Sequence, residues 1–320
     1  MGSHLRGIQL MRHPPVLPGP ASSGGGSLPG YSAHTDLATR IRDGSRLFDL
    51  GQLDCQFDEE HHTLWTFMTP AERPNYNEPM LRDFELWQSE IVRTLGDPAT
   101  GLRYLILGSR FPRVFNYGGD LELFTRYILA GDRDGLVRYG KACVGILHRN
   151  MVGLGLPIIT IALVQGEALG GGFESILSFD VVIAERSARF GLPEAMFGLF
   201  PGMGAHSFLS RRLGSAKAEE MIRSGRIYTA EELHALGLVH ILVEPGEGET
   251  AAADYIRRNH RHHAGQLGAR RAARLVENIT LRELEDIVEI WADSALGLSH
   301  TQLKMMGRLA GAQTKLSLVS

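Results

Sequence analysis

Apolar residues along this chain follow two rhythms. The first is the short continuous run. "HHTLWTFMTP" (61–70), "LRYLILGS" (102–109), "PIITIALVQG" (157–166), "DVVIAE" (180–185) and "VHILVE" (239–244) each predict a strand. Those at 102–109 and 180–185 are of the kind buried on both faces of a parallel sheet. The second rhythm is a spacing of three and four. Leu81, Phe84, Trp87, Ile91 and Leu95 lay one apolar stripe along a helix that starts near Pro79. Further helices are predicted over about 135–150, 173–179, 206–213 and 216–224. In "TAEELHALGL", Thr229 and Glu232 make a capping box, and Gly237 closes the helix. From about Thr250 the pattern is helical, with no proline after Pro245.

Strands alternating with helices predict an α/β core around a parallel sheet, here residues 46–249. Residues 250–320 read as a helical cap and oligomerisation region. Residues 1–45 stand apart. "MGSH" reads as a tag remnant, and the Pro/Gly/Ser run from Pro14 to Gly30 buries too little surface to order itself. No signal-peptide core precedes the fold. The longest apolar run, Gly153 to Val164, falls short of the ~20 residues that span a bilayer.

Two glycine turns carry the candidate chemistry. "ALGGGFES" (168–175) follows the strand at 157–166 and opens a helix, with Glu174 in its first turn. Taken alone, this is a dipole-matched glutamate or a phosphate cradle, although it lacks both the G-x-G-x-x-G fingerprint and a P-loop lysine. "VFNYGGDLELF" follows the strand at 102–109 in the same manner. Two such turns open at the same sheet edge, and each offers one N–H to a shared point. Converging donors form an oxyanion hole, with the amides of Gly171 and Tyr117 as candidates. Glu194 lies in "FGLPEAMFGLFPGMG", after the next strand, and returns to the same edge. Two carboxyls in an apolar pocket make an acid–base pair, one of them protonated near neutral pH. No G-x-S-x-G elbow is present, and neither Cys55 nor Cys143 sits in a nucleophile motif.

"ALGGGFE", "FNYGGDL" and "FGLPEAMFGLFPGMG" resemble the crotonase (enoyl-CoA hydratase/isomerase) superfamily over about residues 60–245. Within it, "IALVQGEALGGGFES", "GGDLELF" and "LFPGMGAHSFLSRRLG" most resemble the bacterial diffusible-signal-factor synthases. The resemblance implies a spiral of ββα units with a C-terminal helical cap. It implies dehydration of a 3-hydroxyacyl thioester, and thioester hydrolysis that releases a cis-2-unsaturated fatty acid for quorum sensing. It puts Glu174 and Glu194 in the catalytic roles, with Gly171 and Tyr117 at the oxyanion. Tyr117 departs from the small residue of typical hydratases. No cofactor is implied, because the substrate rides on the phosphopantetheine of acyl carrier protein. A sensor kinase is a further implied partner, and trimers or dimers of trimers are the implied assembly. An enoyl-CoA hydratase or isomerase of fatty-acid metabolism, or a regulatory binding module without catalysis, are the other readings.

An acyl chain needs an apolar slot. Met196, Phe197, Leu199, Phe200 and Met203 flank Glu194, and Trp291 and Leu296 of the cap are placed to close it; ordinary core packing is the competing reading. The net charge of −3 gives no footprint for nucleic acid or an anionic membrane. Two cysteines are too few for a disulfide framework and fit reduced thiols in a cytoplasmic protein. The basic stretch 256–275 offers a solvated helix face, a dock for acyl carrier protein or a site for a phosphopantetheine phosphate. Within it, "HRHH" (260–263) lacks the paired acidic or cysteine ligands of a metal site. Arg110 and Arg113, near the oxyanion loop, are placed to meet a phosphate, and His61 and His62 read as structural.

Overall fold

The computed structural model describes residues 47–97 and 100–317, so the predicted tail, 1–45, lies outside the described residues. The chain opens with β1 (Leu53–Asp58), β2 (Thr63–Met68), α1 (Glu78–Leu95), β3 (Tyr104–Ser109), β4 (Val114–Asn116), α2 (Leu121–Ala130) and α3 (Arg133–Met151). Next come β5 (Ile159–Val164), β6 (Glu167–Leu169), α4 (Gly171–Ile176), β7 (Val181–Glu185) and β8 (Arg189–Gly191). A 3-10 turn, Pro193–Phe197, leads to α5 (Ala205–Leu213), α6 (Ser215–Ser224), β9 (Ile227–Thr229), α7 (Ala230–Ala235) and β10 (Ile241–Val243). Helices α8 (Gly248–Asn259), α9 (His263–Glu277), α10 (Leu281–Leu296) and α11 (His300–Ser317) complete it.

Two sheets result. The larger runs β1-β2-β3-β5-β7-β10, parallel except for the β1–β2 hairpin. The smaller runs β4-β6-β8-β9, parallel except for its β8–β9 pair. Each central strand of the larger sheet hands over to a three-residue strand of the smaller one: β3 to β4, β5 to β6, β7 to β8. This is the ββα spiral the sequence resemblance implied. Every residue of β5 and β7 is buried, which explains why both read as unbroken apolar runs.

Helix α1 starts where Asn77 accepts the Met80 N–H at 2.9 Å, and it buries the predicted stripe of Leu81, Phe84, Trp87, Ile91 and Leu95. The Trp87 indole donates to Thr66 Oγ1 at 3.0 Å, which satisfies its one polar group inside the core. The capping box at Thr229 and Glu232 is present in both directions. Two elements differ from the sequence reading. Residues 121–130 form a helix not predicted from the sequence, capped by Asp120 and closed by Gly131 in the left-handed region. The predicted helix over 173–179 starts two residues earlier, at Gly171. The helices after 250 do not stand apart from the core. Leu284, Val288 and Trp291 of α10 and Met306 of α11 belong to the same apolar cluster as the strands and α3.

Candidate active site

The two glycine turns lie back to back. A Cβ on Gly172 would sit 2.0 Å from the Asn116 carbonyl oxygen, and one on Gly118 would sit 2.4 Å from the Gly171 nitrogen. Gly118 and Gly170 also hold φ of +83° and +53°, where a side chain is strained. Glycine is therefore required twice over: once for conformation and once for the approach of the two chains.

The backbone donors correct one expectation. The Tyr117 N–H is spent on the Pro74 carbonyl at 2.7 Å, so it is not available to an oxyanion. The next N–H, of Gly118, is held by Asn116 Oδ1 at 2.6 Å. Gly119 and Gly171 both line the cavity, and neither N–H has a hydrogen-bond partner among the described residues. The geometry therefore pairs Gly171 with Gly119. Tyr117 contributes its side chain instead, the hydroxyl donating to Glu167 Oε2 at 3.0 Å beside the cavity.

Glu174 and Glu194 meet in the same cavity, of about 250 Å³. Glu174, on α4, is 1% exposed, and its Oε1 accepts the Met203 and Ala205 N–H groups at 2.8 and 2.9 Å. Glu194, on the 3-10 turn, is only half-buried as a residue, but its Oε2 is sealed from solvent without a partner. Burial raises the Glu174 carboxyl well above the usual range, and the Glu194 charge adds to this; the two amide donors pull the other way. Burial likewise raises Glu194. Burial of the pair, with the Glu194 charge acting on Glu174, favours keeping a proton on one of the two carboxyls.

A folded-state carboxyl raised above its unfolded value holds a proton that the unfolded chain releases, so stability falls as pH climbs between the two values. Glu174→Gln removes that dependence. Its melting temperature, relative to the parent chain, should rise by a few degrees between pH 5 and pH 8.5, as thermal melts at each pH would show. A difference that does not change with pH would contradict the burial effect.

The remaining walls are apolar. Of the predicted chain-binding residues, Met196, Phe197, Leu199, Met203 and Trp291 line the cavity, with Met196 exposed at its edge. Phe200 does not; its ring packs edge-on against His206 at 5.8 Å, outside the lining. Leu296 packs elsewhere on the core. Phe124 of α2, Tyr139 of α3 and Leu309 of α11 also line the cavity and were not singled out in the sequence. Phe124 sits edge-on to both Tyr139 and Trp291, so these three rings form one wall. The helical spacing of Phe124 and its cap at Asp120 were the signals available for it. Neither Arg110 nor Arg113 lines the cavity. Arg110 pairs with Glu249 and stacks over Phe67, and Arg113 holds φ of +60° in the turn before β4. Among the described residues, no group of three His, Cys, Asp or Glu side chains is arranged to hold a metal ion, and no helix is long and apolar enough to cross a membrane.

A family model described as enoyl-CoA hydratase/isomerase matches residues 89–258, which carry both glycine turns and both glutamates. This chain belongs to the enoyl-CoA hydratase/isomerase family. It is 35% identical over 185 residues to the human mitochondrial enoyl-CoA hydratase domain-containing protein 2, covering 55% of this chain and 59% of that one. It is 34% identical over 151 residues to the mitochondrial methylglutaconyl-CoA hydratase of Rattus norvegicus, covering 47% of this chain and 46% of that one. The chain thus spans about half the length of the curated relatives it matches. Among solved structures, Pseudomonas aeruginosa DspI is 27% identical with a TM-score of 0.56, over 66% of this chain and 76% of that one. An enoyl-CoA hydratase structure from Geobacillus kaustophilus shares the hydratase/isomerase fold at 20% identity, with a TM-score of 0.63 over 79% of this chain and 91% of that one.

Proposed function

We propose that this family member eliminates water from a 3-hydroxyacyl thioester carried on acyl carrier protein and then hydrolyses the thioester, releasing a cis-2-unsaturated fatty acid as a diffusible signal. The observation that carries the reading is the meeting, in one apolar cavity, of two backbone N–H groups unspent among the described residues, one buried carboxyl and one half-buried carboxyl. One ionised carboxylate takes the α-proton. The thioester oxygen becomes an enolate held by Gly171 and Gly119 N–H. The other carboxyl, protonated, gives its proton to the departing hydroxyl, which leaves as water. In hydrolysis a carboxylate takes a proton from water as its oxygen attacks the carbonyl carbon. The same two N–H groups hold the tetrahedral oxyanion, and the carrier thiol leaves.

Identity to methylglutaconyl-CoA hydratase favours a second reading, a CoA-thioester hydratase. That substrate carries a second carboxylate. No Lys, Arg or His lines the cavity among the described residues, and the rings of Phe124, Tyr139 and Trp291 form one of its walls. A carboxylate buried there without a cation is costly, whereas an alkyl chain gains from each buried methylene. The purified chain, offered matched 3-hydroxyacyl-ACP and 3-hydroxyacyl-CoA, should release free unsaturated acid at least tenfold faster from the carrier-protein substrate, as mass spectrometry would report. Release of enoyl-CoA without free acid would overturn the proposal and leave the hydratase.

A further inference from the structure

A second cavity, of about 320 Å³, lies beyond the C-terminal end of α4, away from both glycine turns. Its walls carry Asp180, Arg212, His240, Arg270, Arg274 and Glu277. Their pairing is uneven. Arg274 grips Asp180 through Nε at 3.1 Å and Nη2 at 2.5 Å, and Thr160 donates twice more to the same carboxylate. That pair is neutral and saturated. Arg212 is different. Its side chain is 18% exposed, its one ion pair is a 3.7 Å approach to Glu277, and it makes no hydrogen bond among the described residues. Arg270 shares a hydrogen bond with the Tyr255 hydroxyl and has no ion pair among the described residues, so most of its donors remain. A deeply set guanidinium with its donors unspent is costly to the fold and is usually retained for an anion.

His240 adds a neutral donor. Its Nδ1 accepts the Val182 N–H at 2.9 Å, so the ring proton resides on Nε2. Partial desolvation, with the charges of Arg270 and Arg212 nearby, pushes the imidazole down and favours the uncharged ring. Two guanidinium forks and one imidazole N–H thus surround a space larger than one small ion. A carboxylate is satisfied by a single fork, whereas a phosphoryl group accepts donors from several directions.

We propose that this cavity binds a phosphoryl group, as inorganic phosphate or on a small phosphorylated metabolite, with Arg212, Arg270 and His240 as its donors. The site is distinct from the acyl cavity and does not depend on the reaction proposed for it.

The test is calorimetric titration of the full chain with inorganic phosphate and with AMP, at ionic strength fixed by sodium chloride, alongside thermal melts. Phosphate should bind and raise the melting temperature beyond the chloride control. Arg270→Gln, at a partly exposed position that keeps the fold, should weaken binding by about ten- to a hundredfold, the range one charge-assisted contact supplies. Arg212→Gln should weaken it at least as much. Glu174→Gln should bind phosphate as the parent chain does, which separates this site from the acyl cavity. Tighter binding of AMP than of phosphate assigns the ligand to a phosphorylated metabolite, and equal binding assigns it to free phosphate; both uphold the site. No heat or stabilisation beyond chloride would overturn it, as would unchanged binding in both arginine variants. A change of oligomeric state in Arg212→Gln without phosphate binding would make this face a subunit contact instead.

Discussion

Replacing Glu194 with glutamine should lower kcat for water elimination by about 10²- to 10⁴-fold, the span that positioned general acid–base groups contribute. Glu174→Gln should fall in the same range. KM should change little in either, because both side chains are neutral isosteres at a wall the alkyl chain does not occupy. The double variant should be scarcely slower than the worse single one, since the two carboxyls handle the two protons of a single elimination. Steady-state kinetics on 3-hydroxyacyl-ACP measures all three. Independent, multiplying losses would mean that the two carboxyls act in separate steps. Activity near that of the parent in either single variant would remove that residue from the chemistry.

Gly172→Ala should cost about 3 kcal/mol, at the upper end of overpacking penalties. The obstruction is the Asn116 backbone carbonyl, 2.0 Å from the added Cβ, with its carbon at 2.7 Å. Backbone cannot rotate aside as a side chain does, so α4 must move away from β4. The melting temperature should drop by roughly 6–12 °C, and activity should vanish even in the folded fraction, because Gly171 and Gly119 no longer face one point. Gly145→Ala, in α3 where a Cβ meets nothing within 4 Å, is the control and should melt within about 2 °C of the parent chain. Equal melting of the two variants would show that the turns are not interlocked.

The legible parts of the sequence were those whose signal is local. Ile159–Val164 and Val181–Glu185 read as strands because neither face meets water, so every position is apolar. Thr229 and Glu232 announced a helix start because the capping box lies within four residues. The three-residue strands β4, β6 and β8 carry no such signal; their partners, distant in sequence, define them. Which backbone N–H stays free was illegible for a related reason. In "FNYGGDL" every residue offers an N–H, and the one left over is decided by Pro74, 43 positions upstream, which claims Tyr117. Phe200 was misjudged because proximity to Glu194 in sequence does not fix a side chain's direction, and this ring turned to His206. Trp291 lines the cavity beside rings of Phe124 and Tyr139 that were invisible in the sequence until α2, α3 and α10 came together.

The interlocked turns also divide labour across the molecule. Glu174, Gly171 and Gly119 sit on one rigid block, where Gly118 and Gly172 leave no room for drift. Phe124, Trp291 and Leu309 reach the cavity from three helices, α2, α10 and α11, and the Phe124 ring packs directly on Gly119. Under the proposed function, substitutions at Trp291 and Leu309 should alter the length and girth of chain admitted, whereas one at Phe124 should also disturb Gly119. On that proposal, substrate range is separable from reaction type at Trp291 and Leu309 but not at Phe124, which is bound to the glycine turn.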